Sequence, residues 1–178
     1  MKVSITKFKD VKIIKYNKFT DKRGDLKVTY NKKLINWVDL VFDYTTVSKK
    51  NVIRGFHFQW KQQQDKLISV VKGKILDCII DLRKNSKTFG KHYSIILSEN
   101  NCKSLFIPKG FAHACYTLDK TNIINCKQSN YYNPRYEDGI IWNDKILNIK
   151  WPGKNPIISN KDKKQKNFKR FLEKYKYL

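Results

Sequence analysis

The feature that most constrains this chain is its punctuation. Short β-prone runs alternate with polar or glycine-containing turns, and only the carboxyl end has room for a helix. The runs are Val11–Tyr16, Leu26–Tyr30, Trp37–Phe42, Leu67–Val71, Ile75–Leu82, Tyr93–Leu97, Ser104–Ile107 and Asn122–Cys126. Asp21-Lys22-Arg23-Gly24, Lys72-Gly73-Lys74, Pro108-Lys109-Gly110 and Asn133-Pro134 supply turn chemistry between them. Ile75-Leu76-Asp77-Cys78-Ile79-Ile80 is apolar almost throughout, as for a strand covered on both faces. Strands at this spacing predict an all-β sandwich or closed barrel. With no repeat or linker, residues 1–178 read as one domain. From Lys161 the chain is rich in lysine, and Phe168, Phe171, Leu172 and Tyr175 fall on one face of an amphipathic helix over about 163–177. That stripe is expected to pack on the barrel with its lysines in water.

Hydrophobic residues at 40% and aromatics at 13% supply a core and exclude wholesale disorder. No apolar stretch approaches the roughly 18–20 residues of a membrane span, and Met1–Lys7 lacks the apolar region of a signal peptide. A cytoplasmic protein without membrane attachment is expected. The formal charge of +23 attracts polyanions, but only Arg23, Arg54, Arg83, Arg135 and Arg170 among 38 basic residues are arginines. Arginine is the usual bidentate reader of phosphate and guanine, and the lysines are scattered. An anionic small substrate is therefore favoured over nucleic acid. Cys78, Cys102, Cys115 and Cys126 form no CxxC pair and read as small buried hydrophobes in a reducing compartment.

Three histidines occur. His92 follows Gly90-Lys91 and reads as a surface residue, whereas His57 and His113 lie in strand-like segments that would point alternate side chains inward. A metal site would want several His or carboxylate ligands closely spaced. Gln59 stands where a second histidine would follow His57, and Lys66 would compete electrostatically, so no metal is expected.

Val52-Ile53-Arg54-Gly55-Phe56-His57-Phe58-Gln59, with Lys66 and Gly73 beyond it, resembles the first signature of the dTDP-4-dehydrorhamnose 3,5-epimerase family. So do Asp81-Leu82-Arg83-Lys84-Asn85-Ser86-Lys87-Thr88-Phe89-Gly90 and Ile107-Pro108-Lys109-Gly110-Phe111-Ala112-His113. The tail blocks Asn130–Pro134, Gly139–Asp144, Ile149–Pro152 and Ser159–Asp162 follow in order, so the likeness covers roughly residues 21–162. The resemblance implies a cupin-type jelly roll, usually a homodimer, that inverts a centre of a nucleotide-linked 4-keto-6-deoxy sugar without cofactor or metal. Such sugars enter surface polysaccharides. It implies His57 as the base, Asp162 as the carboxylate that orients it, and Lys66 as the cation on the enolate oxygen. Arg23, Arg54, Gln59, His113 and Lys161 match substrate-binding positions.

The sequence departs from the family at two places. Cys126 takes the position of the family's catalytic tyrosine, the acid on the far face. A thiol, with a pKa of about 8.5, can donate a proton but is much shorter than a phenol. As an inert packing residue it would leave that face to water or another group, or cost the enzyme one of two epimerisations. C3 is the centre expected to invert, with C5 open. At the nucleotide end Leu26 and Val28 replace an aromatic and a glutamate, and Phe42 and Tyr44 replace a Gln and an Asn. An aromatic there could stack on a base or simply suit a strand, so a dTDP-, GDP-, UDP- or CDP-linked sugar is admitted. Two rivals share the superfamily. One is a 3,4-ketoisomerase, disfavoured by Gln59 and the tail blocks. The other is a non-catalytic sugar-nucleotide-binding cupin, disfavoured by the joint presence of His57, Lys66 and Asp162.

Overall fold

The computed structural model describes residues 1–178. In chain order the strands are β1 (Lys2–Ile5), β2 (Lys12–Lys15), β3 (Lys18–Asp21), β4 (Gly24–Lys27), β5 (Phe42–Lys49), β6 (Val52–Gln59), β7 (Lys66–Lys72), β8 (Lys74–Asp81), β9 (His92–Ser98), β10 (Lys103–Ile107), β11 (Phe111–Thr117), β12 (Thr121–Gln128), β13 (Glu137–Gly139) and β14 (Ile157–Ile158). Helices α1 (Asn160–Lys163) and α2 (Phe168–Tyr175) follow. One sheet runs β1-β2-β10-β7-β12-β5 and the other β13-β6-β11-β8-β9, with β14 beside β6. β3 and β4 form a separate hairpin. Two largely antiparallel sheets face to face make the expected all-β jelly-roll sandwich.

Three apolar layers explain why so many strands lack a polar face. The inner core, from both sheets, includes Ile68, Val70, Ile75, Ile79, Leu105, Phe111 and Ile124. A second core lies on the outer face of the second sheet, where Phe56, Phe58, Cys78, Ile80 and Ala114 meet Ile140, Leu147, Phe168 and Phe171 from the tail. Along β8, Ile75 and Ile79 face inward while Cys78 and Ile80 face the tail, so the whole run is apolar. A third, smaller core on the first sheet joins Ile14, Leu67 and Phe106 to Ile35. All four cysteines are free and buried, and His92 is exposed. No helix is long and apolar enough to cross a membrane.

Three expected elements are corrected. Trp37–Phe42 is not a strand; β5 begins at Phe42. Trp37 stands edge-on to Phe106 at 6.0 Å, the Lys12 ammonium lies 4.4 Å over its ring, and Val38 and Leu40 cover the third core. These apolar residues roof the first sheet instead of joining it. Leu26–Tyr30 is strand only to Lys27, because Tyr30 turns onto the same outer core. The terminal helix spans Phe168–Tyr175 rather than 163–177. Lys166 bridges to Ile140 in extended conformation, and Asn167 then caps α2 by accepting the Arg170 N–H at 2.9 Å.

Asp144 anchors this tail. Its carboxylate accepts the N–H groups of Ile146 and Leu147 and, at 2.7 Å, that of Phe168. Phe171 then packs on Phe58, Phe168 and Tyr175 with ring centroids 5.5–5.7 Å apart. Phe171→Ala is expected to cost about 3 kcal/mol or more. Calorimetry should show a fall of roughly 6–12 °C in Tm at this chain length; an unchanged Tm would mean that the tail does not stabilise the second sheet.

Candidate active site

A cavity of about 730 Å³ opens between the sheets, walled by β5, β7 and β12 on one side and by β6, β11, β13 and the β14–α1 segment on the other. His57 is placed there by an irregularity in β6. Three steps along β6, from Arg54 to His57, match two steps along β11, from Cys115 to His113. In a regular strand residues three apart point to opposite faces; the bulge lets both Arg54 and His57 line the cavity. The residue within it must be glycine. Gly55 has φ +116°, and a Cβ would lie 2.4 Å from the His113 carbonyl oxygen. The Gly55–Phe56 peptide bond is cis.

Asp162 reaches His57 from 105 residues away, its Oδ1 lying 2.7 Å from Nε2. β14 pairs in parallel with β6, Ile157 beside Val52 and Ile158 beside Ile53, so the chain enters α1 next to His57. Ser159 caps that turn by accepting the Asp162 N–H at 3.0 Å, while Gly55 N–H donates to Asp162 Oδ2 at 3.3 Å. Burial raises the Asp162 carboxyl, but the His57 hydrogen bond and charge, with Gly55 and Ser159, bring it below its ordinary value. Asp162 is therefore ionised, Nε2–H donates to it, and Nδ1 is left facing the cavity. Glu137 Oε1 stands 3.8 Å from that nitrogen. Burial raises Glu137 as well, yet its hydrogen bond from Lys161 and the neighbouring His57 and Tyr132 hold it below its usual value. An imidazolium formed by protonation at Nδ1 would thus lie between two carboxylates, Glu137 on one nitrogen and Asp162 on the other.

Across the cavity stands Lys66, 8% exposed. It forms no ion pair within 4 Å, and its ammonium donates no hydrogen bond to the protein. Burial depresses its pKa, against the opposing pull of Cys126, Glu137 and Asp77. An unpaired ammonium in such surroundings binds a developing oxyanion far more strongly than one in water.

The other expected site residues divide. His113 lines the cavity opposite His57 in the ladder, its Nε2 2.8 Å from the fully buried Asp77. Arg54 lines it too, donating from Nε to the Ser48 hydroxyl at 3.0 Å. Lys161 is paired with Glu137. Cys126 is 3% exposed beside Lys66, and burial raises its thiol pKa. Two of the expected residues are placed differently from the rest. Gln59 borders the cavity, with its amide held by the Gln62 and Tyr131 carbonyls and the Asn133 N–H, so it positions the 131–133 loop. Arg23 lies outside its own chain's cavity, on the β3–β4 hairpin, where it pairs with Asp21 and its side chain is 84% exposed. No group of three or more His, Cys, Asp or Glu side chains is arranged to hold a metal ion. Sequence reasoning missed Glu137 and Tyr132, whose hydroxyl donates to Glu137 at 2.8 Å. With fifteen acidic residues against 38 basic ones, an acidic pair at Glu137-Asp138 between two family-like blocks was the available signal.

The family model for dTDP-4-dehydrorhamnose 3,5-epimerase matches residues 5–170. The chain belongs to that family. A Shigella flexneri dTDP-4-dehydrorhamnose 3,5-epimerase is 39% identical over 169 residues, covering 91% of this chain and 93% of its own. The crystal structure of the Bacillus anthracis enzyme, with TDP and pyrophosphate bound, is 41% identical with a TM-score of 0.89, covering 93% of this chain and 98% of that one. The Legionella pneumophila enzyme, in complex with dTDP-4-keto-L-rhamnose, is 35% identical with a TM-score of 0.88, covering 93% and 92%. Family membership places the chain among the isomerases that act on nucleotide-linked sugars and decides against the ketoisomerase rival.

The depressed Lys66 gives a prediction with a fixed sign. The unfolded chain holds that proton more tightly than the fold does, so the buried charge is a cost at neutral pH that fades as pH rises into the ordinary lysine range, about 10.4. Lys66→Met is expected to raise Tm at pH 7, roughly 2–4 °C for each kcal/mol of desolvation recovered, while turnover falls at least about a hundredfold. Calorimetry at pH 7 and near pH 10.5 checks it: the gain should shrink at the higher pH. A lower Tm at pH 7 would show that Lys66 stabilises the fold.

Proposed function

We propose that this chain inverts C3 of a dTDP-linked 4-keto-6-deoxy sugar by deprotonation and reprotonation through an enolate. The observation that carries the reading is the opposition, within one cavity, of an imidazole flanked by two carboxylates and a buried ammonium with no anionic partner. His57 Nδ1 removes the proton beside the keto group, and the resulting imidazolium is held by Asp162 and Glu137. The electron pair moves onto the keto oxygen, where Lys66 meets it. A proton returned to the opposite face completes the inversion. Arg54, Lys161 and the +23 field favour the diphosphate. The relatives with TDP or a dTDP-sugar bound favour thymidine among the bases. Four buried, unpaired thiols fit the reducing cytoplasm.

We further propose that the protein works as a homodimer. The β3–β4 hairpin joins neither large sheet and exposes Phe19 and Leu26, each about 60% accessible. An isolated hairpin of this kind is marginal in water. Docked on a second copy it would cover these side chains and bring Arg23 toward that copy's substrate.

Incubation with dTDP-4-keto-6-deoxyglucose in heavy water, followed by proton NMR, tests the chemistry. Deuterium should enter at C3 with a C3-inverted product, and His57→Asn should lose at least about a hundredfold of that exchange while still gaining Tm on adding dTDP. His57→Asn exchanging as fast as wild type would remove the base. Sedimentation should give twice the 21.2 kDa chain mass; Phe19→Glu/Leu26→Glu should give the monomer.

A further inference from the structure

Inversion at one carbon needs a proton on each face of the ring, and His57 serves only the face toward its own sheet. On the opposite sheet the titratable side chains bordering the cavity are Tyr44, Lys49, Lys66 and Cys126. Lys66 is committed to the keto oxygen, and Lys49 lies at the far end of β5. The ladder sets the remaining two side by side. In the row below, Phe42, Gln128 and Lys66 are cross-strand neighbours; in the next, Tyr44, Cys126 and Ile68. Directly opposed side chains have Cβ atoms about 5 Å apart, so the phenol of Tyr44 can occupy space that the short Cys126 side chain leaves open. Its ring leans on Phe42 at 6.0 Å between centroids. Tyr44 is 39% exposed, its open side facing the cavity it lines; loss of water to the surrounding walls is the main cause of its raised pKa, followed by the adjacent Cys126 thiol, with Cys115 and Glu137 also near. Glu137 is the carboxylate 3.8 Å from His57, so hydroxyl and imidazole border the same space.

We propose that Tyr44 is the catalytic acid on the face opposite His57, supplied from β5 where β12 carries only Cys126. This rests on the epimerase reading above. As the new C–H bond forms at C3, the Tyr44 O–H bond breaks and a phenolate remains. The proton removed by His57 leaves to water and the phenolate regains one from water, so the cycle closes without a co-reactant.

Tyr44→Phe keeps the ring, and with it any stacking role, and removes only the transferable proton. In heavy water with dTDP-4-keto-6-deoxyglucose, this variant should form inverted product at least about a hundredfold more slowly than wild type. It should still wash deuterium into C3 of the recovered, uninverted substrate through His57, and dTDP should still raise its Tm. Tyr44→Phe/Cys126→Tyr, which puts the phenol back on β12, should recover inversion. Tyr44→Phe inverting as fast as wild type overturns the assignment, as does the same loss appearing in Cys126→Ser instead. Wild type that neither exchanges nor inverts at C3 overturns the parent reading itself, a separate result.

Discussion

The His57–Asp162 hydrogen bond is the contact on which the rest of the site depends. It decides which imidazole nitrogen carries the proton and therefore which one faces the cavity. It forms only because β14 lies parallel to β6 and the chain then turns into α1 beneath the Ser159 cap. Those elements stand on the second core, where Asp144 gathers the tail and α2 buries Phe168 and Phe171. Folding the tail and bringing Asp162 to His57 are one structural event.

The site is a compromise between burial and charge. Lys66 weakens the fold where it stands, because water has been removed from its ammonium without a counter-ion being put in its place. Under the proposed chemistry the same removal suits it to an enolate oxygen. His57 is treated in the opposite way, with two carboxylates at hand to hold a positive charge on it, as the proposed chemistry requires. The Lys66 ammonium on one wall and the Asp162 and Glu137 carboxylates on the other set up a field that runs from β7 toward β6 and β13, so an electron pair moved from C3 to the keto oxygen, as proposed, would be drawn toward β7.

Much of this was legible in the chain itself. The turn chemistry and near-continuous apolar runs pointed to the sandwich, whereas nothing in the local pattern announced the irregularity at Gly55 that turns His57 into the cavity. The family-like blocks brought His57, Lys66 and Asp162 together across a hundred residues that periodicity could not bridge. Trp37–Phe42 misled because β-prone residues serve equally well as a roof over a sheet, and local pattern cannot tell an apolar cover from a strand. The terminal stripe ran one turn too early because the Lys166–Ile140 bridge is a long-range contact. The three backbone partners of Gln59 were hidden for a related reason, since they lie in loops that only the folded chain brings near. Tyr44 was visible as an aromatic replacing a polar residue, but its relation to Cys126 depends on the β5–β12 register, which sequence alone did not fix.

The separation of imidazole and carboxylate along the chain also has a temporal side. Translation at about 5–20 residues per second puts roughly 5–20 s between the appearance of His57 and that of Asp162. A growing chain that has already paired β6 with β11 holds an imidazole whose tautomer nothing yet selects. The carboxylate that selects it is made only after the strands that carry His57 and its ladder partner His113.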